Sequence, residues 1–162
     1  MDVGHFYFLT DSYFIDFPDP YLERNKESIN GILHGRPCFY SFVDHSTQIN
    51  WFIPFSSKIA KFKQIYNDKI QKMGKCDTIV FGSVLGYEKA FLLQNMCPAI
   101  QKYIDGEYID RISNFPVRVD GVLEKELIKK SSLILALARQ GKRVIFPNVL
   151  WIEEELIKQL QA

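Results

Sequence analysis

The absences in this sequence narrow its chemistry first. It has three cysteines, Cys38, Cys76 and Cys97, and three histidines, His5, His34 and His45. The cysteine number is odd and none of these residues has metal-ligand spacing. The thiols therefore read as free and mostly buried in a reducing cytosol, and neither a metal nor a cofactor is expected. There is no His-Glu-x-x-His, and no glycine-rich loop ends in Gly-Lys-Ser/Thr, which sets aside nucleotide hydrolysis of that kind. Gly82-Ser83-Val84-Leu85-Gly86 is not a nucleophile elbow, because serine takes its second position instead of its third. No early basic flank joins an apolar run, so no signal peptide is expected, and the longest apolar runs are too short to span a bilayer. Strong net charge is missing too. The formal charge is +1 over 162 residues, so any basic surface must be local.

What is present is an ordinary globular balance, 47% apolar and 24% charged, in a length that fits one domain, 1–162. Thirteen Phe and eight Tyr favour strands and closely packed aromatic cores.

Residues 4–10 read as a first strand, and Thr10 or Asp11 can cap a short helix over 12–17 that Pro18 and Pro20 stop. Residues 19–36 read as a polar connection with weak helical pattern. Residues 37–44 and 48–54 are aromatic-rich runs around the turn Asp44-His45-Ser46-Thr47, which makes a hairpin. From 59 to 73 the period changes: Ile59, Phe62, Ile65, Tyr66, Ile70 and Met73 mark an amphipathic helix, broken near Asn67 and ended by Gly74. Residues 77–84, with a bulge at Gly82, and 87–94 are strands, and 96–99 is a turn or short edge strand. Residues 101–115 form a loop with one short pairing segment. Asp120 caps a helix to about 140, with Leu123, Leu127, Ile134 and Leu137 on one face and Gly141 closing it. A short strand at 143–146 precedes a terminal helix over 152–161, with Ile152, Leu156 and Leu160 inward. Strands and helices do not alternate as in βαβ units, so the class is α+β, a small, strongly bent antiparallel sheet with helices packed on it.

The segment Pro54-Phe55-Ser56-Ser57-Lys58 stands where a strand meets a helix. Two hydroxyls and an amine there suit a phosphate, because the first helical N–H groups are free and the dipole adds positive potential. The alternative is a plain helix cap. From 58 to 75 six lysines (Lys58, Lys61, Lys63, Lys69, Lys72 and Lys75) face one acid, Asp68, with Phe62 and Tyr66 interleaved. That pattern suits an RNA backbone with bases stacked beside it. A solvated helix face is the alternative for the lysines.

Several segments resemble the ToxN/AbiQ/CptN family, the toxins of type III (protein–RNA) toxin–antitoxin systems. Phe6-Tyr7-Phe8-Leu9-Thr10-Asp11-Ser12-Tyr13 is similar to the family's opening strand and tyrosine. Arg36-Pro37 resembles its entry to the next strand. Phe52-Ile53-Pro54-Phe55-Ser56-Ser57-Lys58 resembles its Pro-Leu-Thr-Ser-Pro-Lys or Pro-Ile-Ser-Ser-Lys segment. Ala90-Phe91-Leu92-Leu93-Gln94-Asn95-Met96-Cys97-Pro98 resembles its Leu-Asn-x-Met-x-Pro segment, and Gly141-Lys142-Arg143-Val144-Ile145-Phe146 its late part. The matches run in order along most of the chain.

The resemblance implies a barrel-like sheet similar to the MazF/Kid toxins and a cytoplasmic bacterial endoribonuclease that cleaves single-stranded cellular or phage RNA. It implies a partner, a small repetitive RNA antitoxin of pseudoknot-like units. The toxin processes that RNA, is inhibited by it and joins it head to tail in a closed assembly that serves plasmid maintenance or abortive phage defence. By position, Ser57 matches the family's essential serine, Ser56 its neighbour, Tyr13 the tyrosine after the first strand, and His34 a second active-site tyrosine. Lys58 departs from the pattern: members with Thr-Ser-Pro-Lys place the lysine two residues after the serine, and Lys61 replaces it only if the helix starts differently.

Without a metal, RNA is cleaved by its own 2′-hydroxyl, leaving a 2′,3′-cyclic phosphate and a 5′-hydroxyl. The enzyme must align that attack, stabilise phosphoryl charge and help move protons. Ser57 and Ser56 can hold the phosphate, Lys58 can neutralise charge, Tyr13 can orient the nucleophile, and His34 has an intrinsic pKa of ~6.5 suited to acid or base work. Arg36, Lys61, Lys63, Lys69, Lys72, Lys75 and Tyr66 are the expected RNA-binding residues. Two rivals remain: a non-catalytic RNA-binding module built on helix 58–75, and a small protein-interaction barrel.

Overall fold

A computed structural model describes residues 1–22, 26–29 and 32–162, with the backbone alone for 26–29 and 32–34. The β-prone run His5-Phe6-Tyr7-Phe8-Leu9 yields β1 (Phe6–Leu9). Thr10 then caps α1 (Asp11–Asp16), its Oγ1 accepting from the Tyr13 amide. The hairpin strands β2 (Lys26–Ile29) and β3 (Ile32–Gly35) follow, and they correct the expected polar connection.

β4 (Cys38–Asp44) and β5 (Ile49–Ser56) form the expected aromatic hairpin. Asp44 organises its turn, accepting from the Ser46 amide at 2.9 Å and the Gln48 amide at 2.7 Å. α2 (Ile59–Met73) is continuous through Asn67, and Gly74, at φ +77°, ends it.

β6 (Ile79–Val84) and β7 (Tyr87–Leu92) pair without a break from Ile79↔Leu92 to Val84↔Tyr87, so Gly82 is no bulge. Its glycine serves close approach instead, since a Cβ there would meet Leu123 Cδ2 at 2.2 Å. β8 (Cys97–Ala99) and β9 (Ile104–Glu107) are short. α3 (Gly121–Arg139) is capped by the Asp120 carboxylate on the Leu123 amide.

α4 (Val149–Gln161) starts earlier than its sequence period suggested, and Leu160 is exposed, not inward. Residues 143–146 are not a strand. Their β-prone side chains find no strand to pair with, and Phe146 sends its amide to the Gln94 carbonyl.

The class is α+β. Seven antiparallel strands run in the order β6-β7-β5-β4-β1-β9, with β8 pairing β5 off that path. The sheet is not closed into a barrel: the path ends at β6 and β9, which do not pair with each other.

β5 is its pivot. One side pairs along β4, from Cys38↔Pro54 to Asp44↔Ile49. The other pairs first with β8, at Asn50↔Ala99 to Phe52↔Cys97, then with β7, at Phe55↔Phe91 and Ser56↔Ala90. Trp51, Phe52 and Ile53 are completely buried, as a strand covered on both faces requires.

The main core joins Phe6, Phe39, Phe52 and Phe91 to α3 and α4 through Leu127, Ile134, Ile152 and Leu156. A smaller core lies under α2, where Phe62 meets Ile79, Ala90 and Leu92. No helix among the described residues is long and apolar enough to cross a membrane.

Candidate functional site

β5 delivers Ser56 and Ser57 to the mouth of a groove of about 1260 Å³. Antiparallel pairing aims this strand end. Ser56 lies opposite Ala90 of β7, which sets residue 89 beside Ser57 one step further on. Ser56 is nearly buried, and its Oγ accepts from the Lys58 amide at 3.1 Å.

Ser57 is exposed, and its Oγ accepts from the Lys89 ammonium at 2.7 Å. α2 begins at once, with Lys58 as its cap residue and no side chain on its first amides. The capping alternative therefore fails, because it needs a serine oxygen on the second or third helical amide. Neither serine is used that way.

Cations gather round the groove: Arg36, Lys58, Lys61, Lys89 and Arg111 all line it. Phe8, Tyr108 and Tyr87 supply aromatic wall. The first two pack edge to face at 5.8 Å, while Tyr87 is 72% exposed beneath the Lys89 ammonium. Gly35 lets the wall close, since a Cβ there would meet the Phe8 ring at 2.7 Å. Donors and positive charge at one point, with flat apolar faces beside them, suit a phosphodiester flanked by bases.

Of the expected site residues, the structure brings Ser56, Ser57, Lys58, Lys61 and Arg36 together. The other expected RNA-binding residues do not line the groove. Lys63 pairs with Glu88 at 3.0 Å and Lys75 with Asp77 at 3.5 Å. Lys69 is turned onto Thr78 and Gln94. Lys72 is exposed, and Tyr66 packs on Phe81 over the smaller core. The cause is geometric. The side of β7 that carries Ala90 and Leu92 lies beneath α2, and of α2 itself Lys61 and Phe62, in its first turn, line the groove with the serines.

Tyr13 lies in the core. It is fully buried, packs between Phe17 and Tyr103, and its hydroxyl donates to the Pro98 carbonyl at 2.7 Å. Burial pushes its phenol well above the ordinary tyrosine range. Nearby burial also lifts the Cys97 thiol, to about 12. Tyr13→Phe is expected to cost about 1 kcal/mol of stability by removing one buried hydrogen bond and stranding Pro98. Denaturant melts check that cost.

His34 is in β3, and its side chain lies outside the described residues. His5 sits between Glu107 and Arg118, and His45 lies in the β4–β5 turn; neither lines the groove. Among the described residues no three His, Cys, Asp or Glu side chains gather to hold a metal.

Sequence reasoning missed Lys89, Tyr87, Tyr108 and Arg111. Lys89 is the most consequential of them, and its only signal is the long-range register of β7 on β5.

No family model matches this sequence, and no curated protein matches it. A solved structure does. It is described as AbiQ, a lactococcal anti-phage endoribonuclease belonging to the type-III toxin-antitoxin system. It superimposes on 99% of this chain and 100% of its own, with a TM-score of 0.70 at 12% sequence identity. The chain therefore has the AbiQ fold over its whole length.

Proposed function

We propose that this protein is the endoribonuclease toxin of a type III toxin–antitoxin pair, cleaving single-stranded RNA without a metal. One observation carries this reading: in the fold of an endoribonuclease, an exposed serine that caps no helix meets a lysine ammonium in a cation-lined groove. That serine, Ser57, also belongs to the segment that resembles the family's active site.

The chemistry follows from those groups. A bound phosphodiester brings its neighbouring 2′-hydroxyl with it, so the enzyme supplies alignment and charge stabilisation. Ser57 serves as a hydrogen-bond donor to the phosphoryl group. An unassisted hydroxyl ionises far above neutral pH, so it is not a free base. Ser56 holds the turn through the Lys58 amide. Lys58, Lys61 and Arg36 take neighbouring phosphates. His34 keeps the proton-transfer role its chemistry suits, and Tyr13 does not share it, because its hydroxyl is committed to Pro98.

The protein acts in the bacterial cytoplasm on cellular or phage RNA. Its partner is a small repeat RNA that it processes and that binds over the same groove in a head-to-tail assembly. The passive RNA-binding module has less support, since Lys63, Lys69 and Lys75 are engaged by the protein itself.

The test is direct. Induced alone in bacteria, the protein should arrest growth, and co-expressed repeat RNA should relieve the arrest. Purified protein in EDTA should cut single-stranded RNA and leave 2′,3′-cyclic phosphate and 5′-hydroxyl ends. Loss of cleavage in EDTA, or 5′-phosphate products, would overturn the metal-free mechanism.

A further inference from the structure

Lysine has three N–H donors and no acceptor. In the contact between Lys89 Nζ and Ser57 Oγ, 2.7 Å long, the direction of donation is therefore set. Ser57 accepts there, so its own proton is free to point elsewhere. The ammonium has two further donors, and Lys89 is only half-buried, so they reach the groove. A serine O–H and an ammonium N–H thus converge on one region beside the strand end.

We infer that Lys89, carried on β7, is the catalytic lysine of this site, and that with Ser57 it forms a two-donor cradle for the phosphoryl oxygens of the scissile phosphate. This rests on the ribonuclease reading above. It assigns the lysine to a different element from the Ser-Ser-Lys segment.

The alternatives on α2 are placed less well. Lys58 is the cap residue, one position past the serine and exposed, and Lys61 leans 5.3 Å over the Phe62 ring. Neither has a hydrogen bond to Ser57 among the described residues. Lys89, by contrast, is held by paired strands on a side that continues into the packed Phe91 and Phe55 rings. Donors fixed in this way need no reorganisation as charge develops on the phosphoryl oxygens. An ammonium on the serine oxygen also makes Ser57 a poorer base and a better donor. The cradle acts on the phosphate, while proton transfer to and from the 2′-oxygen and the leaving 5′-oxygen falls to other groups.

The experiment compares Lys89→Ala, Lys89→Gln, Lys89→Arg, Lys58→Ala and Lys61→Ala in single-turnover cleavage of total bacterial RNA. Lys89→Ala should lose roughly 10²–10³-fold in rate, the loss typical of one oxyanion donor. Lys89→Gln should lose comparably, which guards against alanine simply failing to fold. Lys89→Arg should restore part of the rate by keeping the charge. Lys58→Ala and Lys61→Ala should mainly weaken binding and flatten its salt dependence. Cleavage by Lys89→Ala at the wild-type rate, or an equal loss in Lys58→Ala or Lys61→Ala, overturns the assignment.

A second arm works without catalysis. Inorganic phosphate should shift the Ser57 amide resonance of the wild type and of Lys58→Ala, but not of Lys89→Ala. If the wild type cleaves no RNA yet shows this pattern, the ribonuclease reading fails and the phosphate cradle stands. If phosphate shifts Ser57 equally with and without Lys89, or shifts neither, the cradle fails.

Discussion

Ser57→Ala is expected to slow RNA cleavage by roughly 10²–10³-fold and to abolish growth arrest, with little change in stability or in binding of an inhibitory RNA. The separation of effects follows from the geometry. Ser57 is exposed, so alanine opens no cavity. The cap position of α2 belongs to Lys58, so no helix cap is lost. Substitutions at such surface positions usually move stability by no more than about 0.5 kcal/mol. What disappears is the hydroxyl that accepts from Lys89. Single-turnover cleavage, growth after induction and thermal melts measure the three quantities separately. A fully toxic Ser57→Ala protein would remove Ser57 from the site.

Phe6→Ala should have the largest effect on stability, about 3–5 kcal/mol, the range for emptying a buried aromatic site. Folded domains hold only about 5–15 kcal/mol in total. At about 2–4 °C per kcal/mol for this size, the melting temperature should fall by roughly 6–20 °C. Phe6 is fully buried and packs against four other rings, in T-shaped contact with Phe39 at 5.6 Å, Phe55 at 5.5 Å and Tyr108 at 6.4 Å and tilted against Phe91 at 6.4 Å. Phe55 directly precedes the two serines, Phe91 shares Lys89's side of β7, and Tyr108 is groove wall. Cleavage should therefore weaken as well, even well below the melting temperature. A melting temperature within a degree or two of wild type would show that these rings repack freely.

The local parts of this fold were readable in sequence because they depend on local chemistry. α2 announces itself by period, and its stop by Gly74. Thr10 and Asp120 cap the helices they seemed placed to cap. The β4–β5 hairpin follows from two aromatic runs around a polar turn.

Features that depend on distant partners were not readable. The run Arg143-Val144-Ile145-Phe146 is as β-prone as many strands, but strand formation needs a neighbour with free hydrogen bonds. The pairing of β2 with β3 was hidden because the run from Lys26 to Ile29 opens on two charged residues and has no strict alternation.

The site divides the same way. The Ser56-Ser57 junction was visible as a strand meeting a helix. Lys89 was not, because its place is set by β7 pairing with β5 across more than 30 positions. The core position of Tyr13 was hidden for a related reason: a tyrosine just past a strand looks the same whether it turns to the groove or to the core, and only packing decides. The lysine run looked like one surface, yet a helix distributes such a run around its axis and the sheet takes one side.

The double pairing of β5 has a bearing on control. Ser57 leaves the end of a strand held on both sides and buried at its centre. Such strands open only with the whole domain, so their amides should be among the last to exchange with solvent. Bending this strand to spoil the serine would cost a large share of the folding free energy. The groove above it is open, and filling it costs no such deformation. The cheapest way to silence this protein is to occupy its groove and leave its shape alone, and removing the occupant would return a site that needs no refolding to act.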